Sequence, residues 1–230
     1  DEAKKRILFY PYKRKENEFK IKDSIEEIDS WLFSNNFYLK KVTIPKCIKK
    51  IGRNPFECSN IEIVNESPYF ELSQGVLYTK GLKDLIYYPT TKKDQKWIAP
   101  DETLVILEGA FSHQEYLKEI HLNNTQILRE FAFYYCSCLE EIVGKNITKV
   151  YSYALDGTKW IQNQPTCVIL GSTIYEYKSD DIENFTIPKK ISFIADYAFK
   201  NNLSLKKISV EKRSCLIDIG ANAFTHCAFF

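Results

Sequence analysis

A unit of about 22 to 25 residues recurs along this chain, and this period constrains the fold more than any other feature of the sequence. Each unit closes on a large apolar anchor, with an aliphatic residue five positions before it and usually an alanine directly before it. The anchors are Phe33, Phe56, Phe111, Phe133, Leu155, Phe199 and Phe224. A single unit of this length cannot bury its own apolar edge, so the repeat predicts a stack in which neighbouring units cover each other.

The segment after the anchor alternates like a half-buried strand, as in "LKKVTI" at residues 39–44. The segment that ends at the anchor places a small residue and a large ring where a short turn or helix would pack on the next coil. Stacking then aligns each row of Ile, Leu and Phe, and each buried side chain contributes roughly 1.5–3 kcal/mol. The pattern therefore predicts a solenoid with a parallel strand ladder along one face.

Four segments resemble the BspA-type leucine-rich repeat, whose pattern is I-x-x-I-G-x-x-A-F-x-x-C-x-x-L-x-x-I-x-I-P. They read "IKKIGRNPFECSNIEIV", "ITKVYSYALDG", "ISFIADYAFKNNLSLKKISV" and "LIDIGANAFTHC". The resemblance covers nearly the whole chain and implies an α/β solenoid, a right-handed leucine-rich-repeat coil with a parallel strand ladder. The "A-F-x-x-C" block together with "I-P" is the specific part of the match.

Cysteine and asparagine recur shortly after the anchors, at the position that the resemblance assigns to inward-facing side chains. Cys136 and Cys227 lie three residues after their anchors, and Cys58 lies two after its own. Asn36 and Asn202 occupy the same position in other units. A buried free cysteine behaves as a small apolar group, so these residues are expected to be structural.

Two stretches near residues 64–100 and 162–188 interrupt the spacing, and each contains a β-hairpin pattern. In the first, "GVLYT" and "DLIYYP" flank "KGLK"; in the second, "CVIL" and "TIYEYK" flank "GS". Residues 1–24 resemble the second half of such an insert, because "ILFYPYKRK" matches "LIYYPTTKK". Residues 1–230 are therefore interpreted as one solenoid of about seven units with two or three hairpin inserts, and as part of a longer array.

Charge gives no reason to expect nucleic acid or an anionic membrane as a partner. Lysine and arginine number 32 against 30 acidic residues, the net charge is +2, and the two signs are interspersed. No stretch approaches the roughly 18 apolar residues of a membrane-spanning helix, so direct membrane insertion is not expected.

Catalytic and metal-binding patterns are weak, and the sequence predicts neither an enzyme nor a cofactor. His113, His121 and His226 belong to different units, and a nucleophile and base would have to meet across coils. Cys136 and Cys138 form a single C-x-C pair without a second pair, which is poor evidence for zinc.

Binding is the usual role of a solenoid, and two sets of residues are candidates for a protein-binding surface. Tyr87, Tyr88 and Trp97 belong to the aromatic residues of the first insert, and aromatic side chains are favoured at binding hot spots. The alternative, which we favour, is that these rings pack the hairpin against the solenoid. The second set comprises outward positions of the predicted ladder, namely Glu119, His121, Glu141 and Lys207.

The sequence therefore predicts a non-catalytic protein-protein interaction or adhesion module. The family resemblance implies a secreted or cell-surface protein whose ligands are host extracellular-matrix or microbial surface proteins. The alternative is a purely architectural spacer or stalk that presents another domain.

Overall fold

The computed structural model describes residues 5–57 and 60–228. The chain winds into successive turns, and most turns contribute one short strand and one longer strand to two separate parallel ladders. The first turns contain β1 (Arg6–Ile7), β2 (Glu18–Lys20), β3 (Glu27–Ile28), β4 (Lys41–Ile44), β5 (Lys50–Ile51) and β6 (Glu62–Asn65).

The first insert and the following turns contain the strands β7 (Phe70–Ser73), β8 (Val76–Thr79), β9 (Asp84–Tyr87), β10 (Lys96–Ile98), β11 (Val105–Ile106), β12 (Glu119–His121), β13 (Ile127–Leu128), β14 (Glu141–Val143) and β15 (Lys149–Val150). The remaining elements are α1 (Lys159–Gln162), β16 (Cys167–Leu170), β17 (Thr173–Tyr177), β18 (Asn184–Ile187), β19 (Phe193–Ile194), β20 (Lys207–Val210) and β21 (Asp218–Ile219).

The longer strands form what we call the long-strand ladder, which runs as β2-β4-β6, then β10-β12-β14, then β18-β20. Its register follows the repeat: Val42 pairs with Ile63, and Ile120 pairs with Ile142. These pairs point inward, while the alternate residues face outward, as the period of two along a strand requires. The predicted solenoid with parallel ladders is confirmed.

The helical content is lower than the expected α/β class implies. Across residues 5–57 and 60–228 the only α-helix is α1, a single turn that replaces a ladder strand after Leu155. Thr158 caps it, because its hydroxyl oxygen accepts a hydrogen bond from the Ile161 backbone N–H at 3.2 Å. The corners that end at the other anchors are tight turns, whose left-handed residues reverse the chain too sharply for a helix.

The anchors stack on one another within each of three hydrophobic clusters. Phe33 stacks on Phe56 with ring centroids 5.6 Å apart, and Phe111 stacks on Phe133 at 4.9 Å. The alanines before the anchors are buried at Ala110, Ala132, Ala154, Ala198 and Ala223. A larger side chain at these positions would separate adjacent turns, so the small residue and the large ring act together.

Both inserts are antiparallel, as predicted, and each ends in a strand that joins the ladder of short strands. β9 pairs antiparallel with β8 and parallel with β11, and β17 pairs antiparallel with β16 and parallel with β19. The first insert differs from the expected two-strand hairpin because β7 adds a third strand. The turn between β7 and β8 places Gln74 and Gly75 at φ 52° and 79°, the left-handed pair that suits a two-residue hairpin loop.

The segment near the N-terminus repeats the geometry that follows the first insert. β1 pairs parallel with β3 as β9 pairs with β11. Tyr10 packs on Phe33 with ring centroids 5.3 Å apart, as Tyr88 packs on Phe111. The predicted match between "ILFYP" and "LIYYP" therefore holds in three dimensions.

Candidate functional site

The insert aromatics that the sequence offered as binding residues lie in the core. Tyr87 is 5% exposed, Tyr88 1% and Trp97 8%. The Tyr88 hydroxyl donates a hydrogen bond to Asp94 Oδ2 at 2.7 Å, and burial raises the pKa of Tyr88. A partner therefore cannot reach these rings, and their assignment to a binding surface is corrected. Their burial agrees with the packing alternative that the sequence analysis favoured.

The outward residues of the long-strand ladder remain accessible and form what we call the long-strand surface. Glu119 and Glu141 are direct neighbours on β12 and β14, and His121 stands beside Val143. Lys96 Nζ lies 2.7 Å from Glu119 Oε1, and His121 Nε2 lies 2.6 Å from the same oxygen. These two partners, Lys96 first, lower the pKa of Glu119.

Lys207 belongs to a different sheet of the same ladder. It stands on β20 opposite Asn184 of β18 and is exposed. The structure therefore brings Glu119, His121 and Glu141 together but places Lys207 across the second insert. In the first sheet the same outward row reads Glu18, Lys41 and Glu62. The long-strand surface thus carries both signs of charge along its length.

Polar residues three positions after the anchors line the interior, as the family resemblance implied. Asn36, Cys136, Asn202 and Cys227 are buried and donate hydrogen bonds to backbone carbonyls of the preceding turn. Cys136 Sγ lies 3.0 Å from the Phe111 carbonyl oxygen, and burial raises the pKa of this thiol to about 12. A thiol in this state is not a nucleophile. Cys58, the remaining residue predicted for this position, lies outside the described residues.

The sequence analysis missed two members of this interior row. Gln114 donates to the carbonyls of Pro89 and Lys92, and Thr158 donates to the carbonyl of Leu155 at 2.7 Å. Counting three residues from each anchor would have found both, because the position requires a donor rather than a particular residue type. Gln114 joins two coils, Thr158 closes its own turn, and both groups are structural.

A second surface that the sequence analysis missed consists of six aromatic rings at the corner of the coils. We call it the aromatic corner, and it comprises His113, Phe131, Tyr134, Tyr135, Tyr153 and Tyr197. None of the six residues is buried. The six residues belong to turns that are far apart in sequence. Only an alignment of the units in the repeat register would have predicted that they lie together.

The aromatic corner has two stacks joined by one ring. Phe131 stacks on Tyr153 at 5.2 Å between centroids, and Tyr153 lies 6.1 Å from Tyr197. His113 stacks on Tyr135 at 5.6 Å. Tyr134 meets Phe131 and Tyr135 edge-on at 5.3 Å and 4.6 Å, which is a favoured geometry for aromatic pairs.

The histidines and acidic residues do not assemble a catalytic or metal centre in the part of the chain that the structure describes. There, no group of three or more His, Cys, Asp or Glu residues is placed to hold a metal ion. His121 contacts Glu119, whereas His226 contacts Asn201 on another turn. Within residues 5–57 and 60–228, no helix has the length and apolar character needed to cross a membrane.

The parallel ladders, the stacked interior anchors and the row of inward donors define a leucine-rich-repeat solenoid. The sequence profile of the BspA type leucine rich repeat region, in six copies, matches residues 9–96, 87–166 and 168–230. The chain therefore belongs to the BspA-type leucine-rich-repeat family, as the resemblance predicted. Among curated proteins, none matches the chain.

Two solved structures share this fold at low sequence identity. One is a leucine rich cell surface protein from Faecalibacterium prausnitzii, with 22% identity, a TM-score of 0.57, and coverage of 83% of this chain and 52% of that one. The other is the pneumococcal vaccine antigen PcpA, with 20% identity, a TM-score of 0.53, and coverage of 90% and 55%. The chain thus spans about half the length of either structure, and the likeness concerns the fold.

Proposed function

We propose that this chain is a non-catalytic protein-protein interaction module of a secreted or cell-surface protein, with an adhesive role. The observation that carries the proposal is the long-strand surface, where side chains of adjacent turns project outward in register. A rigid ladder offers a partner a row of groups at fixed spacing, which lowers the entropic cost of binding. Family membership and the cell-surface description of one structural relative support the location.

The ligand proposed for this surface is a protein with charges of both signs. Lys96, Glu119 and Glu141 stand in one row across β10, β12 and β14. Charged rows of this kind determine the register and the association rate of a complex more than its total affinity. Host extracellular-matrix proteins and microbial surface proteins are the ligand classes that the family resemblance implies.

Charge reversal on the long-strand surface tests this proposal. The protein is applied to immobilised extracellular-matrix proteins, as wild type and as the variants Glu119→Lys with Glu141→Lys, and Lys207→Glu. A matched control reverses Asp180, an exposed carboxylate outside the ladder. We expect the ladder variants to change the association rate at least about tenfold at low salt, and the control to behave as wild type. Equal binding by all variants would show that the long-strand surface does not contact the ligand.

The second candidate function is an architectural spacer. It is favoured by the ion pairs within the ladder itself, such as Lys96 with Glu119 at 2.7 Å, which neutralise part of the charge on the long-strand surface. A spacer would show no saturable binding to any matrix protein. The same binding experiment therefore separates the two functions.

A further inference from the structure

Five of the six residues of the aromatic corner occupy unfavourable backbone conformations. Phe131, Tyr153 and Tyr197 stand two residues before their anchors, with φ of 61°, 59° and 61°. Tyr135 and His113 stand two residues after theirs, at 53° and 60°. Left-handed backbone is costly for a bulky side chain and is tolerated best by glycine and asparagine.

Several other turns of the same solenoid place those tolerant residue types at the same positions, although Trp31 and His226 also stand there with positive φ. Asn54, Gly109 and Asn222 stand two residues before their anchors with positive φ, and Asn35, Gly157 and Asn201 stand two after. The fold therefore does not need an aromatic residue there. Since the rings of the aromatic corner are also not buried, the hydrophobic core does not explain them. Strained residues of this kind indicate a functional surface.

Carboxylates lie beside two of these rings. Asp156, Glu176 and Asp196 line a cleft with Tyr153 and Tyr197, and Ser152, Tyr175 and Lys200 complete its walls. The cleft has a volume of about 30 Å³, which admits the tip of a side chain rather than an organic cofactor. Three carboxylates face one lysine, so the cleft favours a cation.

Asp156 and Asp196 accept hydrogen bonds from neutral groups, and none of the three carboxylates forms a salt bridge with a described residue. Asp156 Oδ1 accepts from the Tyr175 hydroxyl at 2.6 Å. Asp196 accepts from the Ser152 hydroxyl at 3.2 Å and from the Ala221 backbone N–H at 2.7 Å. Burial, followed by the charge of Asp156, raises the pKa of Glu176 against the opposing effect of Lys178 and Lys200. None of these carboxylates forms an ion pair with residues 5–57 or 60–228.

We propose that the aromatic corner is a second interaction surface, and that it binds an arginine-containing segment of a partner protein. The guanidinium group lies against Tyr153 and Tyr197, while Asp156, Glu176 and Asp196 supply the counter-charge. Arginine fits this surface better than lysine, because its planar group stacks on rings and also donates paired hydrogen bonds to carboxylates. The surface is separate from the long-strand surface and does not depend on the role proposed for it.

The test uses three capped twelve-residue peptides, (Gly-Ser-Arg)4, (Gly-Ser-Lys)4 and (Gly-Ser-Glu)4, titrated into the whole chain at physiological salt and followed by calorimetry. We expect saturable binding of the arginine peptide, weaker binding of the lysine peptide and none of the glutamate peptide. The variant Phe131→Asn/Tyr153→Asn/Tyr197→Asn should weaken arginine-peptide binding at least about tenfold, as loss of hot-spot aromatics does. Its urea unfolding midpoint should stay at or above the wild-type value, because asparagine relieves the left-handed strain.

Two matched variants make the result specific. Tyr12→Asn/Tyr69→Asn removes two exposed rings elsewhere on the surface and should leave arginine-peptide binding unchanged. Glu176→Gln removes one charge from the cleft and should weaken binding about threefold. A second measurement needs no variant: the ring resonances of Tyr153 and Tyr197 should shift on titration, while those of Tyr69 should not.

The proposal is overturned if the arginine peptide does not saturate, if the lysine peptide binds as tightly, or if the triple variant binds as the wild type does. Ring shifts at Tyr69 without shifts at Tyr153 would overturn it as well. The long-strand variants Glu119→Lys/Glu141→Lys should retain arginine-peptide binding, so failure of one surface is distinguishable from failure of the other.

Discussion

Tyr87 and Tyr88 are adjacent in the chain, yet their rings lie in two different hydrophobic clusters. The Tyr87 ring packs on Phe56 with centroids 5.0 Å apart, and the Tyr88 ring packs on Phe111 at 4.6 Å. The segment from β9 to Tyr88 therefore serves as a shared wall between the two clusters. The second insert repeats this arrangement, since Ile174 and the adjacent Tyr175 also belong to different clusters.

This shared wall predicts that truncation of either tyrosine destabilises the fold strongly. Tyr87→Ala and Tyr88→Ala should each lower the free energy of unfolding by about 3–5 kcal/mol, as the loss of a large buried ring does. Urea denaturation followed by circular dichroism measures the change. Tyr69→Ala, at an exposed position of the same insert, should stay within about 0.5 kcal/mol of wild type. A loss below about 1 kcal/mol at Tyr88 would contradict the packing role.

The interior position of Cys136 predicts that its thiol is inert in the folded chain. Burial raises its pKa to about 12, so almost no thiolate exists at pH 8. Iodoacetamide at pH 8 should modify the exposed Cys215 and leave Cys136 unmodified until denaturant is added. Mass spectrometry of the alkylated peptides measures both sites in one sample. Equal labelling of the two cysteines in the native chain would show that the turn opens readily.

Since the folded pKa of Cys136 is raised, the proton on this thiol stabilises the fold at neutral pH. That contribution is complete below the ordinary thiol pKa near 9.0 and is lost as the pH rises toward about 12. The stability difference between the wild type and Cys136→Ala should therefore shrink above pH 9. A difference that stays constant up to pH 11 would contradict the assignment.

The ion pair between Lys96 and Glu119 on the long-strand surface predicts how the pKa of Glu119 responds to the loss of Lys96. Lys96→Met should raise the pKa of Glu119 toward its ordinary value, because the hydrogen bond from Lys96 is the largest cause of the lowering. Carbon-detected NMR of the carboxyl group measures this pKa. Lys41→Met, on the same ladder but in another sheet, should leave it unchanged.

The direction of the linked stability effect follows from the lowered pKa. The ionised form of Glu119 stabilises the fold above the ordinary carboxyl pKa, and the contribution is lost as the pH falls through the lowered folded value. The stability difference between wild type and Lys96→Met should therefore disappear in acid. Because the pair is exposed, salt should also reduce the difference.

Gly157 and Gly75 have nearly the same backbone conformation but different surroundings. Alanine substitutions at the two positions therefore separate the free-energy cost of backbone strain from the cost of a close contact. Gly157 and Gly75 have φ of 78° and 79°, so alanine at either position should cost about 1–2 kcal/mol. A Cβ at Gly157 would also approach Tyr135 Cα to 3.1 Å, whereas nothing lies within 4 Å at Gly75. Gly157→Ala should thus lose about 1 kcal/mol more than Gly75→Ala in thermal unfolding. Equal losses would mean that Tyr135 moves away without cost.

Much of the architecture could be predicted from the sequence because it follows from a local period. The anchors Phe33 and Phe111, the inward Cys136 and the turn at Gly171 and Ser172 each reveal their role within a single unit. The strand β7 was not predicted, because "FELS" mixes polar and apolar residues without a clean alternation. Helix α1 was not predicted either, since it replaces the strand expected at that point of the repeat.

The sequence by itself determined that this chain is a solenoid, because one unit of it can bury its apolar edge only against the next, and its motifs resemble the BspA-type repeat. The tertiary structure decided which aromatic rings are accessible. Tyr87, Tyr88 and Trp97 could be either binding or packing residues by sequence, and in the structure they are buried in two clusters. Phe131, Tyr153 and Tyr197 look like ordinary repeat residues, but left-handed corners hold them in a row outside the buried core. Exposure depends on what the neighbouring coils cover, and this is a property of the stack rather than of any single repeat.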